Sequence, residues 1–281
     1  MEQDTGKFRT NTHDQYYTRA SVANHCVNLI LTKLPEVTTY QWIEPSAGNG
    51  AFMNCVPNGV DVIGIDIDPK GVSVIQKGDF LTWTPVTQKQ RLFFGNPPFG
   101  RQSSLAKAFI KHAATFADVI AFILPRSFVK PSMNRAFPLR FHCIHSEELA
   151  KGSFVVNDAV YDVPCVFQIW EKKSEDREVE TKVEEEGFTY VKHGQPFHIA
   201  CKRVGGLAGK CSLATANPSD FNPQFHYFLR IDDMYSPCCN TIIEKMNTHI
   251  FPSNTVGPRS LSKSEINEVL NKILMGLRPS Y

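Results

Sequence analysis

Residues 42–52 read WIEPSAGNGAF, a short apolar segment that breaks into a loop with two glycines. Glycines in such a loop let the backbone approach a ligand where a Cβ would intrude. The next apolar segment, 62–65, is followed by Asp66, which lies 18 residues after Gly48. Nucleotide-binding βαβ units place an acid on the ribose hydroxyls at about this offset. The stretch therefore predicts an α/β fold with a parallel sheet and a ribose-binding loop.

The ligand predicted for this loop has a ribose but no phosphates. The dinucleotide pattern G-x-G-x-x-G is incomplete because Met53 stands at its last position, so a pyrophosphate would lose its expected cradle. S-adenosylmethionine is a ligand that fits this description. Glu44, just before the loop, is a candidate to orient the loop or the amino group of the ligand.

Two further polar residues follow apolar segments along the chain. Asp79 ends a predicted third strand, and Asn96 comes directly after the apolar residues 92–94. Taken alone, Asp79 is an ordinary turn residue. However, the carboxyl ends of parallel strands meet at one edge of a sheet, so Gly48, Asp66, Asp79 and Asn96 are predicted to share one site.

The sequence Asn96-Pro97-Pro98-Phe99 is the candidate catalytic loop. Residues before prolines are pushed toward extended backbone, and two prolines remove two N–H donors, so acceptor oxygens dominate the loop. The Asn96 side-chain oxygen and the Pro97 carbonyl suit an exocyclic amine, whose lone pair they would aim at an electrophile. Phe99 is a candidate to stack on the base. A proline-rich turn with a core Phe is the alternative for this tetrapeptide in isolation.

Together these motifs resemble those of S-adenosylmethionine-dependent amino-methyltransferases, most closely the N6-adenine class, over roughly residues 14–171. The resemblance implies a Rossmann-like, doubly wound methyltransferase sheet, S-adenosylmethionine as cofactor, and methylation of adenine N6 in nucleic acid, with DNA favoured over RNA. It makes Asn96, Pro97, Pro98 and Phe99 the catalytic group. The cofactor contacts it implies are Tyr17, Thr18, Glu44, Pro45, Ala47, Gly48, Asp66, Ile67, Asp79, Phe80 and Asn96. For Tyr17-Thr18, a helix N-cap with a hydrophobic staple is the alternative.

Further residues join Phe99 as candidates for binding the substrate. Arg126 and Lys130, with Arg135 and Arg140, lie in or after the loop that follows the apolar strand 119–124, on the same expected face, where they would contact phosphates, although a solvated basic helix face is an equal alternative. Residues 152–161 are predicted to be a loop that walls the target-base pocket. Phe154 in this loop is a second stacking candidate.

Charge divides the chain into three predicted parts. Residues 1–171 form the cofactor-binding catalytic domain, and residues 172–186 form a charged linker with 4 basic and 7 acidic side chains. Residues 187–281 carry 10 basic and 6 acidic side chains and are predicted to be a small α+β substrate-recognition region. Because this region is small for sequence recognition, a protein partner that supplies target selectivity is also expected.

Composition bears on the location of the protein, on membrane spans and on metal binding. No run of about 18 apolar residues and no signal segment is present, so the sequence predicts an intracellular protein without a membrane span. The eight cysteines are scattered without C-x-x-C spacing, which favours reduced thiols and predicts no metal site.

Other activities stay open at this stage. Protein glutamine-amide methyltransferases resemble this chain in their Asn-Pro-Pro motif but favour Tyr at the position of Phe99. Cytosine-N4 enzymes commonly have Ser where this chain has Asn96. A non-catalytic nucleic-acid-binding subunit with a methyltransferase fold is the alternative from a different class, and the ability to bind S-adenosylmethionine separates it from an enzyme.

Overall fold

A computed structural model describes residues 16–70, 72–156, 159–179, 182–215, 220–252 and 259–277. The chain divides into two compact units, Met1–Val179 and Glu180–Tyr281. In the described ranges, no helix is both long and apolar enough to cross a membrane.

The first unit contains ten strands and two α-helices within its described residues. The helices are α1 (Ala20–Lys33) and α2 (Ser104–Ala114). The strands are β1 (Tyr17–Thr18), β2 (Gln41–Glu44), β3 (Asp61–Asp66), β4 (Ile75–Lys77), β5 (Arg91–Gly95), β6 (Val119–Pro125), β7 (Phe141–Glu148), β8 (Phe154–Val156), β9 (Ala159–Tyr161) and β10 (Cys165–Lys172).

Seven of these strands form one sheet in the order β4-β3-β2-β5-β6-β10-β7. The pairs from β4 to β6 are parallel, and β10 runs antiparallel between β6 and β7. If the five parallel strands β2 to β6 are numbered 1 to 5 along the chain, their order across the sheet is 3-2-1-4-5, which is the order of a Rossmann sheet. The predicted Rossmann-like α/β fold is confirmed.

The central strands are apolar on both faces because both faces of the sheet are covered. All residues of β5 and β6 are buried, as expected for parallel strands inside an α/β domain. On one face, Phe109 and Ile110 of α2 pack against Phe93 of β5 in a continuous core. In the same core the rings of Phe137 and Trp170 stack with centroids 4.0 Å apart.

The prediction of a loop at residues 152–161 was wrong. β8 pairs with both β1 and β9, and these strands form a separate three-stranded antiparallel sheet. The physical reason is burial: Phe154 is completely buried, which ties the hairpin to the first unit. Residues 157–158, between β8 and β9, lie outside the described residues.

Arg177 anchors the start of the predicted linker to the first unit. Its guanidinium donates hydrogen bonds to four backbone carbonyls, those of Asn134, Phe137, Pro138 and Phe141. Lys172, the first residue of the predicted linker, ends β10. Residues 172–179 are therefore part of the first unit, and the division between the units falls after Val179.

The described residues of the second unit form an antiparallel sheet with two α-helices. Its strands pair in the order β11-β14-β12-β13, and the core joins the sheet to both helices through residues such as Leu229, Ile242 and Leu270. A capping box opens the last helix, since the Ser262 hydroxyl accepts from the Glu265 backbone N–H and the Ser262 backbone N–H donates to the Glu265 carboxylate. The elements are β11 (Phe188–Val191), β12 (Ile199–Lys202), β13 (Cys211–Leu213), β14 (His226–Ile231), α3 (Cys239–Thr248) and α4 (Lys263–Met275).

We expect Arg177→Ala to destabilise the first unit by about 2–3 kcal/mol, because four backbone acceptors lose a charged donor at once. Urea unfolding followed by tryptophan fluorescence measures this, since all three tryptophans, Trp42, Trp83 and Trp170, lie in this unit. Lys173→Ala is the control; it removes an exposed ion pair and should cost less than about 0.5 kcal/mol. Equal unfolding midpoints for the two variants would contradict the anchoring role.

Candidate active site

The candidate site lies where the order of the parallel strands reverses. β2 pairs with β3 on one side and with β5 on the other, so the loops that follow β2 and β5 leave the same edge of the sheet side by side. Ligands of open α/β sheets bind in the crevice formed at such a reversal. A cavity of about 320 Å³ occupies this crevice, a size typical of small-molecule sites.

The cavity brings together eight of the predicted cofactor residues. They come from β1, from the loops after β2 and β3, from the turn after β4 and from the loop after β5. These residues are Tyr17, Pro45, Gly48, Asp66, Ile67, Asp79, Phe80 and Asn96.

Asp66 holds the glycine loop in place. Its carboxylate accepts from the Gly48 N–H at 2.7 Å and from the Asp68 N–H at 2.8 Å. Gly48 has φ +52°, and a Cβ there would approach the Tyr17 ring to 3.2 Å, so glycine is needed at this position. Each carboxylate oxygen retains a second lone pair, so Asp66 can still accept from a ligand.

Asp79 combines a turn role with a place in the cavity. Its side chain caps the short 3₁₀ turn Phe80–Thr82 by accepting from the Leu81 N–H at 2.9 Å. Phe80 is buried against Phe109, with ring centroids 5.0 Å apart, and both rings also line the cavity. The ordinary turn interpretation of Asp79 and the site interpretation are therefore both compatible with its position.

Three predicted cofactor residues do not line the cavity: Thr18, Glu44 and Ala47. Thr18 is paired with Phe154 in the β1–β8 ladder. Ala47 is buried, and its N–H donates to the carbonyl of Ile65. These residues support the loops instead of facing the cavity.

Glu44 is buried beneath both loops. Its carboxylate accepts from the Met53 N–H at 3.2 Å, and a Cβ at Gly95 would come within 3.0 Å of the Glu44 side chain. Burial raises the pKa of this carboxyl well above its usual range, Asp66 raises it further, and the hydrogen bond from Met53 opposes the shift. Glu44 is therefore protonated more readily in the folded state than in the unfolded chain.

Asn96 presents an acceptor that the protein leaves unpaired. The side-chain Nδ2 of Asn96 donates to the backbone carbonyl of Tyr16 at 3.0 Å. The backbone carbonyl of Asn96 accepts from the Ser46 hydroxyl at 3.0 Å. These contacts join the loops after β2 and β5 and fix the side-chain amide. The buried Oδ1 has no partner among the described residues, a situation that costs about 1–3 kcal/mol. A donor from a ligand is the group that would satisfy it.

The other members of the predicted catalytic loop differ in their exposure. Pro98 lines the cavity with Asn96, whereas Pro97 is buried. Phe99 is only 7% exposed, and it does not line the cavity itself.

Aromatic side chains surround Tyr16 next to this loop. The Tyr16 ring stacks with Phe99 at a centroid distance of 6.3 Å and with Tyr161 at 5.6 Å. Phe154 meets Tyr16 edge-on but is fully buried, so it offers no exposed face to a base. Tyr16 and Tyr161 were not among the predicted site residues, because their contact depends on the pairing of β1, β8 and β9.

A strained turn follows the catalytic loop. Gln102 and Ser103 both have positive φ, 52° and 60°, and such backbone costs about 1–3 kcal/mol for each non-glycine residue. Gly100 has φ +68°, and a Cβ there would come within 2.8 Å of Leu105. The N–H of Ala106 in α2 donates to the carbonyl of Phe99. This turn therefore ties α2 directly to the catalytic loop, and Leu105 of α2 lines the cavity.

Two of the predicted phosphate contacts lie elsewhere. Arg126 donates from Nε and Nη2 to Glu148 at 3.0 and 2.9 Å, so its guanidinium is committed to an ion pair. Neither Arg126 nor Lys130 lines the cavity. In the part of the chain that the structure describes, no group of three or more His, Cys, Asp or Glu side chains is placed to hold a metal.

No protein-family model matches the chain, and no curated protein matches it. Among solved structures, a provisionally assigned RNA methyltransferase from Pyrococcus horikoshii is 17% identical with a TM-score of 0.46, covering 57% of this chain and 87% of its own. A type I restriction-modification methyltransferase subunit from Streptococcus thermophilus is 13% identical with a TM-score of 0.44; the match covers 96% of this chain but only 59% of the subunit. Magnesium protoporphyrin IX methyltransferase from Synechocystis PCC 6803, with bound S-adenosylmethionine, is 9% identical with a TM-score of 0.39, covering 55% of this chain and 79% of its own. These likenesses are distant, and the fold stated above rests on the strand order of this chain.

We expect Glu44→Gln to change how stability depends on pH. The raised pKa of Glu44 means that folding takes up a proton, so wild-type stability should fall as pH rises from about 4.5 toward the folded-state pKa. Glutamine keeps the acceptor for the Met53 N–H but has no charge to bury. Urea midpoints of both proteins across this range test the expectation, and equal slopes would contradict it.

Proposed function

We propose that this protein is an S-adenosylmethionine-dependent methyltransferase that methylates N6 of adenine in nucleic acid, with DNA favoured over RNA. The observation that carries the proposal is the buried, unpartnered Oδ1 of Asn96, a residue that lines the same cavity as Asp66 and Asp79. An amine donor and a ligand rich in hydroxyl and amine groups suit these acceptors.

S-adenosylmethionine supplies a methyl group on a positively charged sulfur. In the proposal, Asp66 accepts from the ribose hydroxyls and Asp79 accepts from the adenine amine of this cofactor, while Phe80 packs on its ring. Gly48 allows the loop backbone to approach closely. This cavity suits a ligand without a pyrophosphate, since the loop lacks the third glycine of the dinucleotide pattern.

The exocyclic amine of adenine is a poor nucleophile because its lone pair is delocalised into the ring. Asn96 Oδ1 and the Pro97 carbonyl accept its two N–H groups and direct the lone pair toward the methyl group. The new N–C bond would form as the bond between the methyl group and sulfur breaks, which leaves the sulfur as a neutral thioether. The nitrogen would then lose its proton to solvent, so the reaction needs no general base. The fixed amide of Asn96 therefore does its work by orientation and hydrogen bonding.

Phe99, Tyr16 and Tyr161 supply the aromatic surface for the target base in this proposal. Their rings form a continuous stack beside the catalytic loop. Base stacking on such rings contributes about 1–3 kcal/mol per base. A base in a duplex must also leave its stack at a cost of a few kcal/mol, which a single-stranded target avoids.

The proposal assigns substrate recognition to the second unit. Residues 187–281 have an excess of four basic side chains over acidic ones, which is compatible with contact to phosphates. A protein partner that adds target selectivity is also part of the proposal, because this unit is small.

The decisive experiment offers S-adenosylmethionine with a labelled methyl group to duplex DNA, single-stranded DNA, RNA and a protein extract. Nucleoside analysis is expected to find the label in N6-methyladenine of a nucleic acid. Asn96→Ala should lower the rate at least about 100-fold, as loss of a positioned hydrogen-bonding group does in other enzymes. Asn24→Ala, at an exposed position of α1, is the matched control and should keep the wild-type rate.

Each other outcome replaces the proposal with a named alternative. Label in glutamine would make the protein a glutamine-amide methyltransferase. Failure to bind S-adenosylmethionine would favour the non-catalytic nucleic-acid-binding subunit.

A second prediction concerns the aromatic surface. Tyr16→Ala should lower kcat/KM for the nucleic acid by about 5- to 150-fold, which corresponds to the stacking contribution of one ring. Tyr16→Phe keeps the ring and should retain most of the activity. Steady-state kinetics with the preferred polymer make the comparison, and similar losses in both variants would exclude stacking as the role of Tyr16.

A further inference from the structure

Basic side chains are concentrated in one segment of the first unit. Residues 80–146 contain a single carboxylate, Asp118, and nine lysines or arginines: Lys89, Arg91, Arg101, Lys107, Lys111, Arg126, Lys130, Arg135 and Arg140. The net charge of the first unit does not show this local excess of basic side chains, because the acidic side chains of the unit lie elsewhere in the sequence.

Four of these nine cations are occupied by acceptors within the protein. Lys89 pairs with Asp61, Arg126 pairs with Glu148, and Arg91 and Arg140 donate to backbone carbonyls. By contrast, the side chains of Lys107, Lys111 and Arg135 make no hydrogen bond or ion pair with any described residue. All three are exposed.

Lys107, Lys111 and Arg135 line one groove of about 500 Å³ between α2 and the 3₁₀ segment Pro131–Ala136. We call this the α2 groove. Lys107 and Lys111 are four residues apart on α2, so they lie on one helix face about 6 Å apart along the axis. No described carboxylate lines the groove, whose other walls include Ser132 and Met133.

The acidic side chains around Arg177 do not line the α2 groove. Asp176 and Glu178 flank Arg177, which packs on the carbonyls of residues 134–141. Neither carboxylate is among the groove residues.

The same helix connects the α2 groove to the candidate active site. α2 begins just after the catalytic loop, and its residues Leu105 and Phe109 line the cofactor cavity. Lys107 and Lys111 project from the other side of the helix into the groove. The α2 groove therefore lies across α2 from the cavity, so a strand whose base is held at Asn96 would pass over this helix to reach the three unpaired cations.

We propose that the α2 groove binds the phosphodiester backbone of the nucleic-acid substrate, a role that rests on the proposed function. A row of unpaired cations without carboxylates suits a ligand with one negative charge at each regular step. The contacts are to phosphates, so they position the strand without reading its sequence. This surface belongs to the first unit, and of the phosphate contacts that the sequence predicts at Arg126, Lys130, Arg135 and Arg140 it contains Arg135 alone.

The test measures binding of fluorescein-labelled single-stranded DNA and RNA oligonucleotides by fluorescence anisotropy at several salt concentrations. The variant carries Lys107→Gln, Lys111→Gln and Arg135→Gln. Each lost phosphate contact should lower the slope of log Kd against log salt by about 0.7, so we expect a total reduction of about 2. Extrapolated from 1 M salt, this amounts to about a hundredfold weaker binding near 0.1 M salt.

A matched control removes three positive charges from other parts of the first unit, by Lys33→Gln, Lys89→Gln and Lys173→Gln. We expect its salt slope to stay close to that of the wild type. Binding of S-adenosylmethionine by each variant, measured by calorimetry, shows that the cofactor cavity is still folded.

Three results would overturn the α2 groove as a phosphate site. They are an unchanged slope in the groove variant, an equal loss in the control variant, and competition by poly-glutamate as strong as that by an unlabelled oligonucleotide of equal charge. The last result would indicate an acidic protein partner instead.

The binding assay also separates this inference from the proposed function. If no methyl transfer is found but the slope falls as expected, the groove binds nucleic acid and the proposed reaction is wrong. If adenine is methylated and the groove variant binds like the wild type, the reaction stands and the groove is not the phosphate site. Asn96→Ala should retain the wild-type salt slope in either case.

Discussion

The site exists because β2 pairs in parallel with β3 on one side and β5 on the other. Parallel strands end at the same edge of a sheet, and the reversal of strand order leaves a crevice between the two loops that follow β2 and β5. Every polar group of the candidate site depends on this arrangement. Asp66 and Asp79 reach the crevice from the neighbouring strands β3 and β4, although they are far from Asn96 in the sequence.

Hydrogen bonds then convert the crevice into a fixed site. The Ser46 hydroxyl joins the loop after β2 to the backbone of Asn96, and Asp66 holds the N–H of Gly48. Beneath them Glu44 is packed against Gly95, where any larger residue would collide with its side chain. A buried carboxyl and an unpaired amide oxygen both cost stability, and such costs are concentrated at functional sites.

Two kinds of sequence signal explain what was predicted correctly. The apolar runs of β2, β3, β5 and β6 predicted a parallel sheet because both of its faces must be buried. The polar residue that follows each apolar run then indicated which side chains would lie together at one edge of the sheet. The same reasoning failed for residues 152–161, which were predicted to form a loop. Phe154 in this segment is buried, and its strand pairs with the next one in a hairpin.

By itself the sequence determined the Rossmann-like sheet and the loops at its edge, and it placed Gly48, Asp66, Asp79 and Asn96 at one site, because apolar runs and the residues that follow them are local properties. The other four predicted cofactor residues that line the cavity were implied by the family resemblance. Only the tertiary structure decided which neighbours each side chain meets. It packed Glu44 against Gly95, paired Arg126 with Glu148, and brought Tyr16 next to both Phe99 and Tyr161. Contacts of this kind join residues more than 20 positions apart, and the pattern of a single chain carries no signal for them.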